Sequence, residues 1–232
     1  MDVASVRPAP ADGDAYRIAL NGAVLEALPS GALWWPDAAT LVVADLHLEK
    51  GSSFAARGVM LPPYDTPATL ERLASALRPD VRRVICLGDS FHDGDGPERL
   101  AAADRARLAA LMARCEWIWI AGNHDPELPF ALGGRRVVDA LRQGPLIFRH
   151  IAAAVTEPGE VSGHYHPKSG IVVRGRRIAG PCFLHDASRL ILPAFGAYAG
   201  GLDADAPALR ALFPTGASAA LLAGGRIIAL GR

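Results

Sequence analysis

The seven residues Leu41-Val42-Val43-Ala44-Asp45-Leu46-His47 constrain this chain more than any other stretch. A short, unbroken apolar run that ends in an acid and a histidine reads as a strand buried on both faces. In open α/β sheets, ligands are held beyond the carboxyl ends of such strands. On a strand, Asp45 and His47 project to the same side, about 6–7 Å apart along the axis. That spacing suits an oxygen and a nitrogen meeting one metal ion. The pattern recurs along the chain. Residues 81–87 predict a second buried strand ending in Gly88-Asp89-Ser90-Phe91-His92-Asp93, and 117–120 a third ending in Gly122-Asn123-His124-Asp125. A fourth, at 145–148, runs into Arg149-His150, and 159–162 lead to Gly163-His164-Tyr165-His166.

The remaining segments fill in around these strands. Short strands are expected near 16–20, 23–28 and 32–35, separated by Asn21-Gly22 and Ser30-Gly31, since Asn-Gly between apolar runs is a strong hairpin signal. Residues 48–62 read as a loop with a short helix. Thr66 N-caps a helix with Pro67 in its first turn, running to about residue 77. Pro97 opens a long alanine-rich helix to about residue 114, with Leu100, Ala103, Leu108, Leu111 and Met112 on one face. A hairpin turning at Gly175, a strand at 189–192, a short helix near 206–213 and a hairpin around Gly224-Gly225 complete the chain. Residues 1–14, with Pro8, Pro10 and Gly13, form a loose leader; 15–232 form a single domain. Strand, polar cluster and helix in alternation, followed by a β-rich half, predict an α/β fold of two packed sheets flanked by helices.

Composition narrows the class. Lys plus Arg equals Asp plus Glu at 24 each, so no global positive field announces a nucleic-acid binder. Cys86, Cys115 and Cys182 lie far apart with no CxxC pair, which reads as buried, reduced thiols in a cytoplasmic protein. The amino terminus lacks the basic and apolar regions of a signal peptide. No run approaches a membrane span.

Taken singly, each polar cluster has an ordinary explanation. A Gly-Asp after a strand is usually a turn, Asn123-His124-Asp125 suits a capping turn before Pro126, and His164-x-His166 suits a solvated strand edge. Together they converge on metal chemistry. Asp45/His47, Asp89, Asn123/His124, His150 and His164/His166 each follow an apolar segment or a glycine, and only His185 of the seven histidines falls outside these clusters and their neighbours. Imidazole, carboxylate and amide oxygen together suit Mn²⁺, Fe or Zn²⁺ and argue against an all-oxygen calcium cage. Seven such groups are too many for one ion and right for two that share a carboxylate.

These five motifs, in this order, resemble those of the calcineurin-like metallophosphoesterases. The resemblance implies a four-layer αββα sandwich of two mixed β-sheets and a centre of two divalent ions, Mn²⁺ foremost with Zn²⁺ or Fe as alternatives. Carried over by position, one ion takes Asp45, His47, Asp89 and His166; the other takes Asp89, Asn123, His150 and His164. The implied chemistry is in-line attack on phosphorus by a hydroxide held between the ions. His124 then stabilises the phosphoryl group and protonates the leaving oxygen. Asp125 supports His124, or is simply a turn residue. His92 positions the substrate strand, as a similar Gly-Asp-x-Phe-His histidine does in the double-strand-break nucleases of the superfamily.

A closer likeness extends over nearly the whole chain. Trp34-Trp35-Pro36, the stretch from Asp45 to Gly51, Leu61-Pro62-Pro63-Tyr64-Asp65-Thr66, Gly88 to Asp93, Gly163 to Lys168 and Leu192-Pro193-Ala194-Phe195-Gly196 are similar to the DNA-ligase-associated metallophosphoesterases of bacteria. Ala199 departs from that pattern, where threonine is expected. This subgroup implies a phosphodiester substrate such as DNA, a DNA-repair endonuclease role and association with a ligase and helicase module. It leaves the oligomeric state open, a homodimer included. Two other readings compete: a small-molecule hydrolase such as a nucleotidase or nucleotide-sugar-lipid pyrophosphatase, and a non-catalytic scaffold. Arg135, Arg136, Arg142, Arg149, Arg174, Arg176 and Arg177 either gather into a phosphate-binding stripe or form a solvated face.

Overall fold

The structure is a computed structural model that describes residues 6–7, 15–127 and 132–230. The expected leader lies outside the described residues except for β1 (Val6–Arg7), which pairs antiparallel with the last strand. One sheet holds β2 (Tyr16–Leu20), β3 (Ala23–Ala27), β4 (Leu33–Trp35), β5 (Thr40–Val43), β6 (Arg83–Leu87), β7 (Glu116–Ile120) and β8 (Arg135–Val137), ordered as in the sequence. Its first four strands are an antiparallel meander, and β5 through β8 run parallel. The three polar clusters expected from this half, after β5, β6 and β7, therefore leave the same edge of the sheet.

The second sheet contains β1 together with β9 (Ala140–Gln143), β10 (Leu146–Arg149), β11 (Glu160–Ser162), β12 (Lys168–Val173), β13 (Arg176–His185), β14 (Arg189–Ile191), β15 (Ser218–Ala223) and β16 (Arg226–Leu230). The pairs β10·β11 and β11·β14 are parallel and the remainder antiparallel, so both sheets are mixed. Five α-helices and a short 3-10 helix (Pro36–Ala38) complete the described residues: α1 (Lys50–Ala56), α2 (Asp65–Ala76), α3 (Gly96–Arg99), α4 (Ala102–Met112) and α5 (Pro207–Leu212).

Strand alternation sorts the apolar side chains into three layers. Val42, Ala44, Ile85, Ile118, Phe148, Phe183 and Leu190 fill the space between the sheets. Their neighbours Leu41, Val43, Val84, Cys86 and Trp119 point the other way, onto Leu70 and Leu73 of α2 and Leu108 and Leu111 of α4. Cys182, Leu184, Ile191 and Leu221 face outward from the second sheet to Leu209 of α5 and to Phe213. Each fully buried aliphatic or aromatic side chain contributes about 1.5–3 kcal/mol. The result is the expected αββα sandwich.

Local geometry departs from expectation in three places. The helix opened by Pro97 is two helices, because Leu100 and Ala101 are extended (ψ 123 and 146). Leu100 turns into the core there while Ala103 is exposed. Tyr64, not Thr66, precedes the first turn of α2, and Thr66 bonds instead to Glu49: its hydroxyl accepts the Glu49 N–H at 2.8 Å and donates to Oε1 at 2.9 Å. Strands β8 and β9, rich in arginine and short, carry no apolar alternation that would announce them.

Candidate metal centre

Asp45 and His47 are not on a strand. β5 ends at Val43, and beyond buried Ala44 the backbone is left-handed at Asp45, His47 and Glu49 (φ 54, 44 and 62), with Leu46 and Leu48 buried between them. The loop is zipped to the one after β6 by backbone bonds: His47 N–H to Asp89 O (2.9 Å), Leu48 N–H to Ser90 O (2.9 Å) and His92 N–H to Leu48 O (2.9 Å). Asp89, His164 and His166 are also left-handed (φ 45, 70 and 46). Each such non-glycine residue costs on the order of 1–3 kcal/mol and persists only where the surroundings enforce it; Asp and His tolerate it better than most. Glycines allow the loops to close. A Cβ at Gly122 would stand 2.1 Å from the Asp89 nitrogen, and one at Gly88 2.5 Å from the His150 ring.

Backbone donors aim both carboxylates. The His164 N–H donates to Asp45 Oδ2 (2.9 Å) and the His124 N–H to Asp89 Oδ1 (2.9 Å). Asp45 Oδ1 is left 3.3 Å from His166 Nε2, and these two atoms together with His47 Nδ1 lack hydrogen-bond partners among the described residues. His150 donates from Nδ1 to the Leu87 carbonyl (2.8 Å), so its Nε2 carries the free lone pair of the neutral ring. That Nε2 faces Asn123 Oδ1 (2.9 Å), His164 Nδ1 (3.2 Å) and Asp89 Oδ1 (3.3 Å). Two donor sets result, Asp45/His47/His166 and Asp89/His150/His164, each with its ligand atoms within 4.8 Å of one another. A third set, His47/His92/His124, adjoins the first. Acceptors turned toward acceptors with no proton to share suit a cation, and this mix of nitrogen and oxygen fits a divalent transition metal.

Residues 39–179 match the family model described as calcineurin-like phosphoesterase. The chain belongs to the calcineurin-like phosphoesterases. It is similar to a solved structure, the nuclease MPE of Pseudomonas putida, at 30% identity and a TM-score of 0.72, over 93% of this chain and 100% of that one. It is also 27% identical over 96 residues to the probable inactive purple acid phosphatase 29 of Arabidopsis thaliana. The match takes in 39% of this chain and spans about a quarter of the length of that relative (24%).

In this calcineurin-like phosphoesterase the electrostatics favour ligand-ready protonation states at His47, His164 and Asp89, and the opposite at His150 in the absence of a cation. Burial holds the His47 imidazole down at about 4, despite the opposing pull of Asp45 and Asp89. Burial also lowers His164. Burial alone would raise Asp89, but the hydrogen bond and charge of His150 and the His124 N–H outweigh it and hold the carboxyl at about 2. His150 is the reciprocal case: burial opposes its protonation, and the hydrogen bond to Asp89 with the charges of Asp45 and Asp89 raises it on balance.

The three residues expected to act on substrate occupy distinct places. His124 Nδ1 donates to the His92 carbonyl (2.7 Å), leaving Nε2 toward Asp89 Oδ2 at 4.0 Å. The ring's partner is thus that carbonyl and not Asp125. Asp125 Oδ2 accepts the N–H groups of Ser90 (2.7 Å) and Phe91 (3.0 Å), and Oδ1 that of Gly122 (3.1 Å), which ties two of the ligand loops together. Burial and the nearby Asp89 raise its carboxyl to about 7 against those three donors. His92 stacks on His124 with ring centroids 5.1 Å apart and packs against Phe54 at 5.6 Å. Burial, with Lys50 and His124 nearby, lowers it to about 4.

The arginines form no single stripe. Arg142 and Arg149 both bind Glu157, and Arg177 alone of the seven faces the pocket beside His166. Glu49 is buried on Thr66, and Lys50 donates to the Tyr198 carbonyl (3.0 Å). Asp65, to which the motifs assign no role, accepts the Gly51 N–H (2.9 Å) and so braces the first turn of α1, just after His47. Among the described residues no helix is long and apolar enough to cross a membrane.

Proposed function

We propose that this chain is a metal-dependent phosphodiesterase acting on nucleic acid. The observation that carries the reading is Asp89: its carboxylate lies against His150 Nε2 within the set it forms with His150 and His164, faces His124 Nε2 on its other side, and acts electrostatically on His47 of the first set. Asp45, His47, Asp89 and His166 would hold one divalent ion, and Asp89, Asn123, His150 and His164 a second. When bound, such ions supply Lewis acidity and a water whose pKa lies near neutrality.

The chain's own side chains would do the rest. With Nδ1 committed to the His92 carbonyl, His124 in its cationic form offers the Nε2 proton to a phosphoryl oxygen or to the departing alkoxide. Asp125 keeps the Asp89 and Asn123 loops in register. His92, stacked on His124, borders the approach of substrate. The likeness to a Pseudomonas nuclease over nearly the whole chain supports nucleic acid as the substrate. A repair setting beside a ligase and helicase module, and Mn²⁺ as the working metal, belong to the same proposal and rest on the motif resemblance.

The test is a substrate panel under Mn²⁺: plasmid, single-stranded oligonucleotide, cyclic nucleotide, phosphomonoester and a nucleotide-sugar pyrophosphate. Cleavage of the polynucleotides, lost in Asp89→Ala, is expected. Turnover confined to monoester or pyrophosphate would replace this reading with the small-molecule hydrolase.

A further inference from the structure

A pocket of about 540 Å³ is lined by His166, and its charge is unbalanced. Arg72, Lys168 and Arg177 line it against one carboxylate, Asp203, whose Oδ1 already accepts the Asp205 N–H (2.9 Å). Arg72 is held by an aromatic ring rather than by an acid. Its guanidinium lies 4.5 Å from the Phe195 ring centroid, and its Nε and Nη2 have no hydrogen-bond partner among the described residues. Those two nitrogens are buried, so it is the unbalanced charge of the guanidinium, rather than these donors, that favours an anion in the pocket it lines. Arg142 and Arg149, by contrast, share Glu157, and Arg149 also has Glu160 at 3.5 Å.

The rest of the wall is short side chains and glycine. A Cβ on Gly201 would stand 2.2 Å from the His166 carbonyl and 2.9 Å from Lys168 Cε, so the loop around it is seated directly on the segment that carries His166. The pocket thus adjoins the candidate metal centre through a shared residue, and it presents three cationic side chains over a floor that bulky groups do not block.

We propose that this pocket is a subsite for a backbone phosphate of a nucleic-acid strand, adjacent to the phosphate being cleaved. The inference rests on the nuclease reading above and extends it by naming where the strand is gripped. A small diester has no second phosphate to place there, so the subsite would favour polynucleotides over small diesters.

Two readouts test it, using Lys168→Ala/Arg177→Ala and, as a milder exposed-site change, Arg177→Ala. The first is binding of a fluorescein-labelled single-stranded oligonucleotide to chelator-treated protein over a range of salt concentrations. Each lost phosphate contact should flatten the slope of log K against log salt by about 0.7, hence about 1.4 for the double variant. The second is the ratio of kcat/KM for the oligonucleotide to that for bis(p-nitrophenyl) phosphate under Mn²⁺, expected to fall by about tenfold in the double variant, a loss of ~1.4 kcal/mol in discrimination. An unchanged slope, or equal losses on both substrates, would overturn the subsite. Should the wild type cleave no phosphodiester at all, the nuclease reading would fall, while the salt slope would still decide whether these cations hold a phosphate chain.

Discussion

Asp45 Oδ1 and His166 Nε2 lie 3.3 Å apart, delivered by loops from opposite sheets, and neither has a hydrogen-bond partner among the described residues. A buried carboxylate oxygen left unpaired costs about 1–3 kcal/mol or more when charged. A similar convergence recurs around His150, whose Nε2 meets Asn123 Oδ1, His164 Nδ1 and Asp89 Oδ1 within 2.9–3.3 Å. The fold spends stability to gather these groups, and a bound cation is what would return it.

The metal-free protein should destabilise in mild acid. His47 titrates at about 4 in the fold, below its ordinary 6.5, so between those values the unfolded chain binds the extra proton. Stability from this residue is complete above pH 6.5 and disappears as the pH falls toward 4, by roughly 1–3 kcal/mol. Asp125, raised to about 7, slopes the other way, losing its contribution as pH climbs from about 4 to 7. Urea unfolding of chelator-treated protein at several pH values should therefore show a steeper acid loss in the wild type than in His47→Asn.

Asp125→Asn should destabilise the fold by about 1–3 kcal/mol. Both carboxylate oxygens accept backbone N–H groups, so an amide NH₂ in either orientation would face a donor. Thermal or urea unfolding measures the cost. Metal affinity should weaken in parallel, because Ser90 and Gly122 flank Asp89 and Asn123.

His124→Ala should separate chemistry from metal binding. Its ring is fixed by the His92 carbonyl and belongs to neither of the two proposed ligand sets. A positioned general acid is typically worth 10²–10⁴-fold, so kcat for a phosphodiester should fall by about that much while metal content stays at the wild-type value. Elemental analysis beside the kinetic assay distinguishes this from loss of the centre.

The buried pair Arg189–Glu160 should prove costly to break and cheap to replace. Arg189 Nε lies 2.6 Å from Glu160 Oε1, as an ionic contact rather than an aligned hydrogen bond, and both side chains are fully buried. Glu160 also accepts the Ala153 N–H at 3.0 Å and has Arg149 at 3.5 Å. Arg189→Ala removes the nearest charge partner of Glu160, on the strand that leads to His164, with an expected loss of about 3–5 kcal/mol. Arg189→Met/Glu160→Met removes both charges and should cost less, as denaturant midpoints would show.

Much of this architecture is legible in the sequence, for identifiable reasons. Runs such as 41–43 and 117–120 are apolar on both faces, and parallel strands buried between layers leave no other pattern. Histidines and acids at the ends of those runs have to meet, because parallel strands deliver their carboxyl ends to one edge. The backbone conformation there is not legible: Asp45 and His47 read as alternate strand residues, whereas they occupy alternate left-handed positions enforced by bonds to the next loop. Nor is Asp125, whose motif position suggests a partner for His124 while its carboxylate serves the nearby Gly122 amide and those of Ser90 and Phe91, far back in the chain. Arg142, Arg149 and Glu157 likewise look like unpaired surface charge until the loop between β10 and β11 folds back on its strand.

Metal stoichiometry tests the central claim most directly. Protein equilibrated with Mn²⁺, freed of excess and analysed by inductively coupled plasma mass spectrometry should carry two ions per chain, and Asp89→Ala should fail to hold the pair. A wild-type chain that retains no ion, or an Asp89→Ala variant that retains two as tightly as the wild type, would contradict the account.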